Sequence, residues 1–241
     1  MAVEPYNLGN YTKAWRSSGL LKYFGNTVIV VVPGVILTLF LASMIAFVVS
    51  RLSLRFNLGL LLLFTAGNLM PQQIIITPLF QIYKRLWLPE SLSNGSGHFF
   101  NSLFGVLAIH VAFQSGFCTF VLSNFMKAFP AELNEAARID GAGVWRQYWQ
   151  VIMPLTRPAL AALATLQVTW IYNDYLWARI LIQKGNLRPI TSALENLRGV
   201  YFQDNNLIAA GSMLAAIPTL AVYLALQKQF ISGLTLGSTK G

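Results

Sequence analysis

Charge is scarce in this chain of 241 residues. Lys, Arg, Asp and Glu together make up 10% of it, where a soluble domain carries roughly a quarter. Acid is scarcer still, with eight Asp and Glu against seventeen Lys and Arg and a formal charge of +9. In a soluble protein that excess would point to nucleic acid. Here the basic residues lie between apolar runs, where they meet lipid phosphates or set orientation, and no nucleic-acid partner is expected. The one cysteine, Cys118, sits inside an apolar run, which excludes a disulfide framework and a thiolate metal site. Two histidines, His98 and His110, are too few and too differently placed for a metal centre. Neither metal nor cofactor is expected. No Gly-x4-Gly-Lys-Ser/Thr loop occurs, so the chain does not bind and hydrolyse ATP by that route, and any energy must come from a partner. Residues 1–25 are not expected to be a signal peptide: Lys13, Arg16 and Lys22 lie among polar and aromatic residues before Asn26, with no apolar core between them.

What is abundant is apolar surface, at 55% of residues. Five segments of spanning length stand out: about Asn26 to Ser50, Leu58 to Tyr83, Leu103 to Ser123, Pro158 to Leu181 and Leu207 to Leu226. Each is read as a helix, because backbone exposed to lipid must satisfy its own hydrogen bonds. The fold class is therefore an all-α polytopic membrane protein. Residues 1–25 read as a short segment outside the bilayer, and Glu90 to His98 and Gln183 to Asn206 as connecting loops. Kinks are expected at Pro71 and Pro78 in the second segment and Pro218 in the fifth. With five spans the termini lie on opposite sides. Eight basic residues then fall on one side (Arg51, Arg55, Lys127, Arg138, Arg146, Arg157, Lys228, Lys240) and nine on the other (Lys13, Arg16, Lys22, Lys84, Arg85, Arg179, Lys184, Arg188, Arg198). That balance sets no orientation, although the cluster before the first span by itself favours a cytoplasmic N-terminus.

The most informative stretch is Phe129 to Pro154, between the third and fourth spans. It reads as helix, turn, helix. Pro130 suits a first helical turn, Glu132 and Glu135 sit near the positive end of the helix dipole, and Glu135 with Arg138 form an i,i+3 pair. Gly141 and Gly143 stop that helix. The second helix places Trp145, Tyr148, Trp149 and Ile152 on one stripe opposite Arg146, Gln147 and Gln150, and Pro154 is expected to end it.

Glu135-Ala136-Ala137, three residues, Gly141, nine residues, then Val151-Ile152-Met153-Pro154 resembles the cytoplasmic signature of the permease subunits of ATP-binding-cassette importers. The signature's Ile and Leu are replaced here by Val and Met. Asn7 to Trp15 with Asn26-Thr27, and the end Gln227 to Gly241 with Gln229-Phe230, Gly233-Leu234 and Lys240-Gly241, are similar to the carbohydrate permeases of the maltose-transporter type, so the resemblance covers essentially the whole chain. It implies a MetI-like permease bundle over 26–241, with a cytoplasmic coupling loop at about 125–157 and an extracytoplasmic segment 1–25. It also implies transport of a sugar, oligosaccharide or related polyol or glycerol phosphate across the inner membrane of a bacterium or archaeon. The implied partners are a cytoplasmic ATPase dimer, a second permease forming a heterodimer, an extracytoplasmic solute-binding protein and membrane lipid. ATP hydrolysis belongs to the ATPase, and the chain is not itself an enzyme. Glu135, Ala136, Ala137, Asp140, Gly141 and Pro154 are the implied coupling residues. The small alanines permit close approach, Glu135 and Asp140 offer charged hydrogen bonds, and Gly141 permits the turn. The bland alternative is an amphipathic hairpin lying on headgroups; in the docking reading the Trp145 stripe packs on the chain's own spans.

Those permeases usually begin with one further apolar helix, which this sequence lacks. With the signature loop cytoplasmic, the N-terminal basic cluster lies outside, against the charge rule. An N-terminally shortened or mis-started family member is the expectation; a longer upstream reading frame adding no apolar segment would rule it out.

Polar residues inside spans are costly in lipid and mark candidate translocation paths: Asn68, Gln72, Gln73, His110, Gln114, Gln167 and Asn173. Trp170, Tyr172 and Tyr175 would suit sugar rings and hydroxyls. The competing role for each is hydrogen bonding between helices. Asp174 is expected to pair with Arg179 as an interfacial anchor. Two other classes compete with this reading. An ion-coupled secondary transporter usually needs intramembrane carboxylates, often in inverted repeats, yet Asp174 is the one acid within a span. A hydrolase would have to use Ser96 and His98 in the polar Asn94-Gly-Ser-Gly-His98 turn, without an acid to orient the histidine.

Overall fold

In the computed structural model, residues 8–17, 19–197 and 204–235 are described. The first seven residues, Arg198 and its neighbours to 203, and the terminal Lys240-Gly241 lie outside the described residues. Among the described residues the regular structure is helical, apart from an isolated antiparallel bridge between Trp87 and His98.

The order is α1 (Gly9–Ser17), α2 (Leu20–Arg51), α3 (Asn57–Leu69), α4 (Gln72–Arg85), α5 (Glu90–Ser93), α6 (Leu103–Lys127), α7 (Glu132–Ile139), α8 (Val144–Arg146), a π-helical stretch Gln147–Ile152, α9 (Met153–Tyr172), α10 (Leu176–Leu181), α11 (Ile190–Ala193) and α12 (Asn205–Thr235). Among the described residues, four helices are long and apolar enough to cross a bilayer: Leu20–Arg51, Leu103–Lys127, Val144–Tyr172 and Asn205–Ala225. The fifth expected span is a broken pair, Asn57–Asn68 with Gln72–Arg85. The break falls at Met70, whose backbone is extended because a residue before proline is driven from the helical region. Helix continues through Pro78 and through Pro218.

Three expectations need correction. Pro154 does not end the second loop helix, which runs unbroken from Val144 to Tyr172. A proline ring clashes with the carbonyl four residues before it. The wider π turn directly upstream moves that carbonyl aside and leaves Pro154 in the first turn of a renewed α-helix, where an N–H is dispensable. Second, the fourth span is not helical to Leu181. It stops at Tyr172, and the Asp174 carboxylate accepts the backbone N–H groups of Trp177 (3.2 Å) and Ala178 (3.0 Å) to start α10 afresh, the capping chemistry that makes Asp a poor mid-helix residue. Third, α7 begins at Glu132, two residues past Pro130.

The chain divides into two compact units. The first comprises residues 1–33, 75–109 and 168–224. In it, α2 begins with polar residues that tie down the connection between α10 and α11. Asn26 Nδ2 donates to the carbonyls of Asn186 and Arg188, each at 3.1 Å, and Thr27 Oγ1 accepts the Ile190 N–H at 2.8 Å. Tyr83 and Tyr172 donate their hydroxyls to the carbonyls of Gly105 (3.1 Å) and Ala215 (2.8 Å). The second unit comprises 34–74, 110–167 and 225–241. Its core joins Ala42, Ala46 and Phe47 of α2, Cys118, Leu122 and Met126 of α6, Tyr148 and Ile152 of the π stretch, and Ala159 and Leu163 of α9. Small side chains let the backbones close up, which drives helix association where lipid is as apolar as leucine. Buried hydroxyls are satisfied mostly within their own helix, as Ser123 on Phe120 O and Thr156 on Ile152 O show.

Candidate functional site

The signature loop folds as a short helix held against the end of α2. Its stop is a Schellman motif: the Gly141 N–H reaches Arg138 O at 3.0 Å, the Ala142 N–H reaches Ala137 O at 2.8 Å, and Gly141 takes a φ of +76°. That value suits glycine and costs any other side chain.

The helix inverts the usual amphipathic arrangement. Its inward residues are Asn134 and Ala137, while Ile139, apolar and 86% exposed, stands outside. Glu132, Glu135, Ala136, Ile139 and Asp140 are all exposed. Their i, i+3, i+4, i+7 spacing makes them one outward stripe. Of the six predicted coupling residues, Glu135, Ala136, Asp140 and Gly141 lie on this outer side. Ala137 is buried, so its small side chain serves close approach to the chain's own core. Pro154 belongs to the start of α9. Glu135 and Arg138 do not form the expected ion pair; among the described residues the ion pairs are Lys13–Asp204, Arg179–Glu195 and Arg188–Glu195. Two exposed side chains gain little by pairing in water.

The inner side is held by a polar chain that no pattern in the sequence signals. Arg51, at the C-terminus of α2, donates from Nε to Asn134 Oδ1 at 2.8 Å, from Nη1 to Phe129 O at 3.0 Å and from Nη2 to Pro130 O at 2.8 Å. Asn134 Nδ2 donates onward to Gln147 Oε1 at 3.0 Å, and Gln147 Nε2 to Ala142 O at 2.8 Å. Gln147, expected on the polar outer face with Arg146 and Gln150, is thus buried. Both ends of its amide find partners there, which is what permits its burial. The predicted aromatic stripe divides likewise. Tyr148 and Ile152 are core residues, whereas Trp145 and Trp149 are largely exposed. Trp149 stacks on Phe40 at 6.3 Å between centroids.

The candidate path residues part into two groups. Asn68 serves α6: its amide nitrogen faces Phe113 O at 2.9 Å and its oxygen faces the Phe117 N–H at 3.2 Å. Gln167 is fully buried, with Nε2 on Cys118 Sγ at 3.1 Å, and His110 is buried as well. Gln72, Gln73 and Asn173 are exposed and Gln114 is half-buried; Asn173 Nδ2 donates to Thr169 O at 2.9 Å in its own helix. Tyr172 is buried and its hydroxyl is used, while Trp170 and Tyr175 are exposed.

Asp174 does not pair with Arg179. That guanidinium binds Glu195 at 2.7 Å, Arg188 binds the same carboxylate at 3.3 Å, and the Tyr175 hydroxyl donates to it. The Tyr175 hydrogen bond, with the two arginines, holds the Glu195 carboxyl below its ordinary range. Ser96, the weighed nucleophile, is a turn residue whose hydroxyl bonds Ser93 O (2.9 Å) and His98 O (2.8 Å).

The chain is similar along its whole length to the osmoprotective compounds uptake permease protein GgtD of Synechocystis sp., with 30% identity over 241 residues, covering 77% of that protein. The probable starch degradation products transport system permease protein AmyC of Thermoanaerobacterium thermosulfurigenes is 29% identical over 97% of this chain and 81% of its own length. Among solved structures, a chain of a bacterial ABC transporter that imports the acidic polysaccharide alginate shares the fold, with a TM-score of 0.73 and 22% identity over 93% of this chain and 80% of that one. Residues 26–235 match the family of binding-protein-dependent transport system inner membrane components. The chain belongs to that family: it is a multi-pass inner-membrane permease subunit of an ABC importer, a class that works with ATPase and solute-binding partners.

Proposed function

We propose that this permease passes a sugar or oligosaccharide, or a related polyol or glycerol phosphate, and is driven by an ATPase that docks on the outer stripe of α7. The exposed Ile139, beside Glu135 and Asp140 on a helix tied down from its inner side through Asn134, carries this reading. An apolar tip flanked by carboxylates suits a socket with an apolar floor and basic or amide-bearing walls. ATP is hydrolysed in that partner. On this reading residues 125–157 face the cytoplasm and 1–25 the opposite side. The starch degradation products named for AmyC support a carbohydrate, and a different second permease completes the pore. Gln72, Gln73, Gln114 and Asn173 are the amides available to a solute's hydroxyls.

The test is ATP-driven uptake by Glu135→Lys and Gly141→Asp. Both proteins should insert and both should lose uptake, the first by reversing charge on the stripe and the second by straining the turn. Uptake surviving both changes would remove the docking role. Capture of the intact importer should recover an ATPase, a second permease and a solute-binding protein, and the ligand of that last protein names the substrate.

A further inference from the structure

We propose that Arg51 is the positioning residue through which α7 is joined to α2, so that displacement of the docked helix is delivered to the first span by its guanidinium. This rests on the docking role of α7 argued above. Three features carry it.

The guanidinium uses all three of its nitrogens on three separate acceptors, the Asn134 amide and the Phe129 and Pro130 carbonyls. A planar fork fixed at three points resists both sliding and rotation, where a lysine would supply one swivelling contact. These acceptors lie on α7 and immediately before it, so the fork holds the helix and its lead-in together. From Asn134 the same chain of bonds passes through Gln147 to Ala142 beyond the Gly141 turn. The eight-residue helix is therefore gripped at its start, middle and exit, which matters because a helix so short has little stability of its own.

Packing does not make the same connection. Beside the fork lies a half-open cleft of about 510 Å³ lined by Ser50, Leu52, Leu54, Glu135, Arg138 and Val144, among others. The helix buries little besides Asn134 and Ala137. With open space between α7 and the end of α2, directional hydrogen bonds are the stiff link.

The test uses the assembled importer in membranes, with Arg51→Met, Arg51→Lys, Asn134→Ala and the double change Arg51→Met/Asn134→Ala. Cys118 is fully buried, so a cysteine introduced at the surface is the accessible thiol, and Leu133→Cys carries a spin label on the flank of α7, off the outer stripe. In the Arg51 variants the ATPase should still co-purify, because the stripe is untouched. Uptake should fall tenfold or more for methionine and nearly as far for lysine while ATP hydrolysis continues, and the label should become more mobile. The double variant should be no worse than Arg51→Met alone, as expected of two members of one link. Uptake within twofold of wild type in Arg51→Met, or losses that simply multiply in the double variant, would overturn the proposal. So would loss of ATPase capture together with uptake, which would make Arg51 a folding residue of the docking surface. Glu135→Lys separates the two readings: if it still captures ATPase, the docking role fails whatever Arg51 does. If it alone loses capture and Arg51→Met is unimpaired, only the link through Arg51 fails.

Discussion

The hydroxyls of Ser43 and Tyr148 share a hydrogen bond of 2.7 Å inside the apolar core of the second unit, fastening the loop helix to α2 at a second point beyond Arg51. The two partners are not equivalent. Ser43 also has Phe40 O within 2.9 Å, so Tyr148→Phe leaves the serine satisfied, whereas Ser43→Ala strands a buried phenol. Tyr148→Phe should cost about 1 kcal/mol and Ser43→Ala about 1–3 kcal/mol, with the double variant recovering part of the Ser43→Ala loss. Thermal unfolding in detergent ranks the three, and a Tyr148→Phe variant less stable than Ser43→Ala would contradict the assignment.

At Gly116 α6 comes close against α3. A side chain there would overlap the Phe64 carbonyl and the Asn68 amide, and the first of these is backbone that cannot swing away. Gly116→Ala is expected to destabilise by about 1–3 kcal/mol, as overpacking does, and Gly116→Leu to prevent assembly. Normal expression and melting of Gly116→Leu would show that α3 does not sit where described.

Glu195 gives the region around α11 a pH dependence of definite sign. Its carboxyl is held below the ordinary range by Tyr175, Arg179 and Arg188. The stabilisation is therefore present at neutral pH and is lost as pH falls through the depressed value. Hydrogen exchange over residues 183–197 should quicken at that acid limit in wild type. Glu195→Gln should exchange faster already at pH 7 and show no further acid step. A glutamine variant that keeps the wild-type profile would assign the effect to another group.

The amides in and beside the spans should separate by readout. Asn68→Leu removes a clasp on the α6 backbone and is expected to lower the melting temperature. Gln73→Ala, at an exposed position, should leave melting unchanged and alter the KM for solute. If Gln73→Ala changes neither, that residue is not on the path.

What the sequence disclosed follows from the range of the interactions. Spans were legible because apolarity over about twenty residues is a local property, and the Gly141 stop because a Schellman turn is built from adjacent residues. Arg51 was visible as one basic residue in a loop, but its acceptor Asn134 lies 83 positions away, and no periodicity links them. The burial of Gln147 was hidden for the same reason, since a glutamine reads as surface until both its partners are known. The helix break after Tyr172 has a local cause in Asp174, whose carboxylate caps the start of α10.

The π-helical stretch Gln147–Ile152 also holds a residue in reserve. A π turn accommodates one residue more than an α turn at the same place, whereas each residue of an α-helix advances about 100° around the axis. Deleting one residue between 147 and 152 would let the segment relax to regular α-helix with its length and phase almost unchanged, so Val144 and Trp145 would keep nearly their present direction relative to α9. The same deletion in the regular helix after Met153 has no such reserve and would turn the signature loop by about 100° relative to the rest of α9. One-residue deletions of equal hydropathy are therefore unequal in consequence, according to which side of Ile152 they fall.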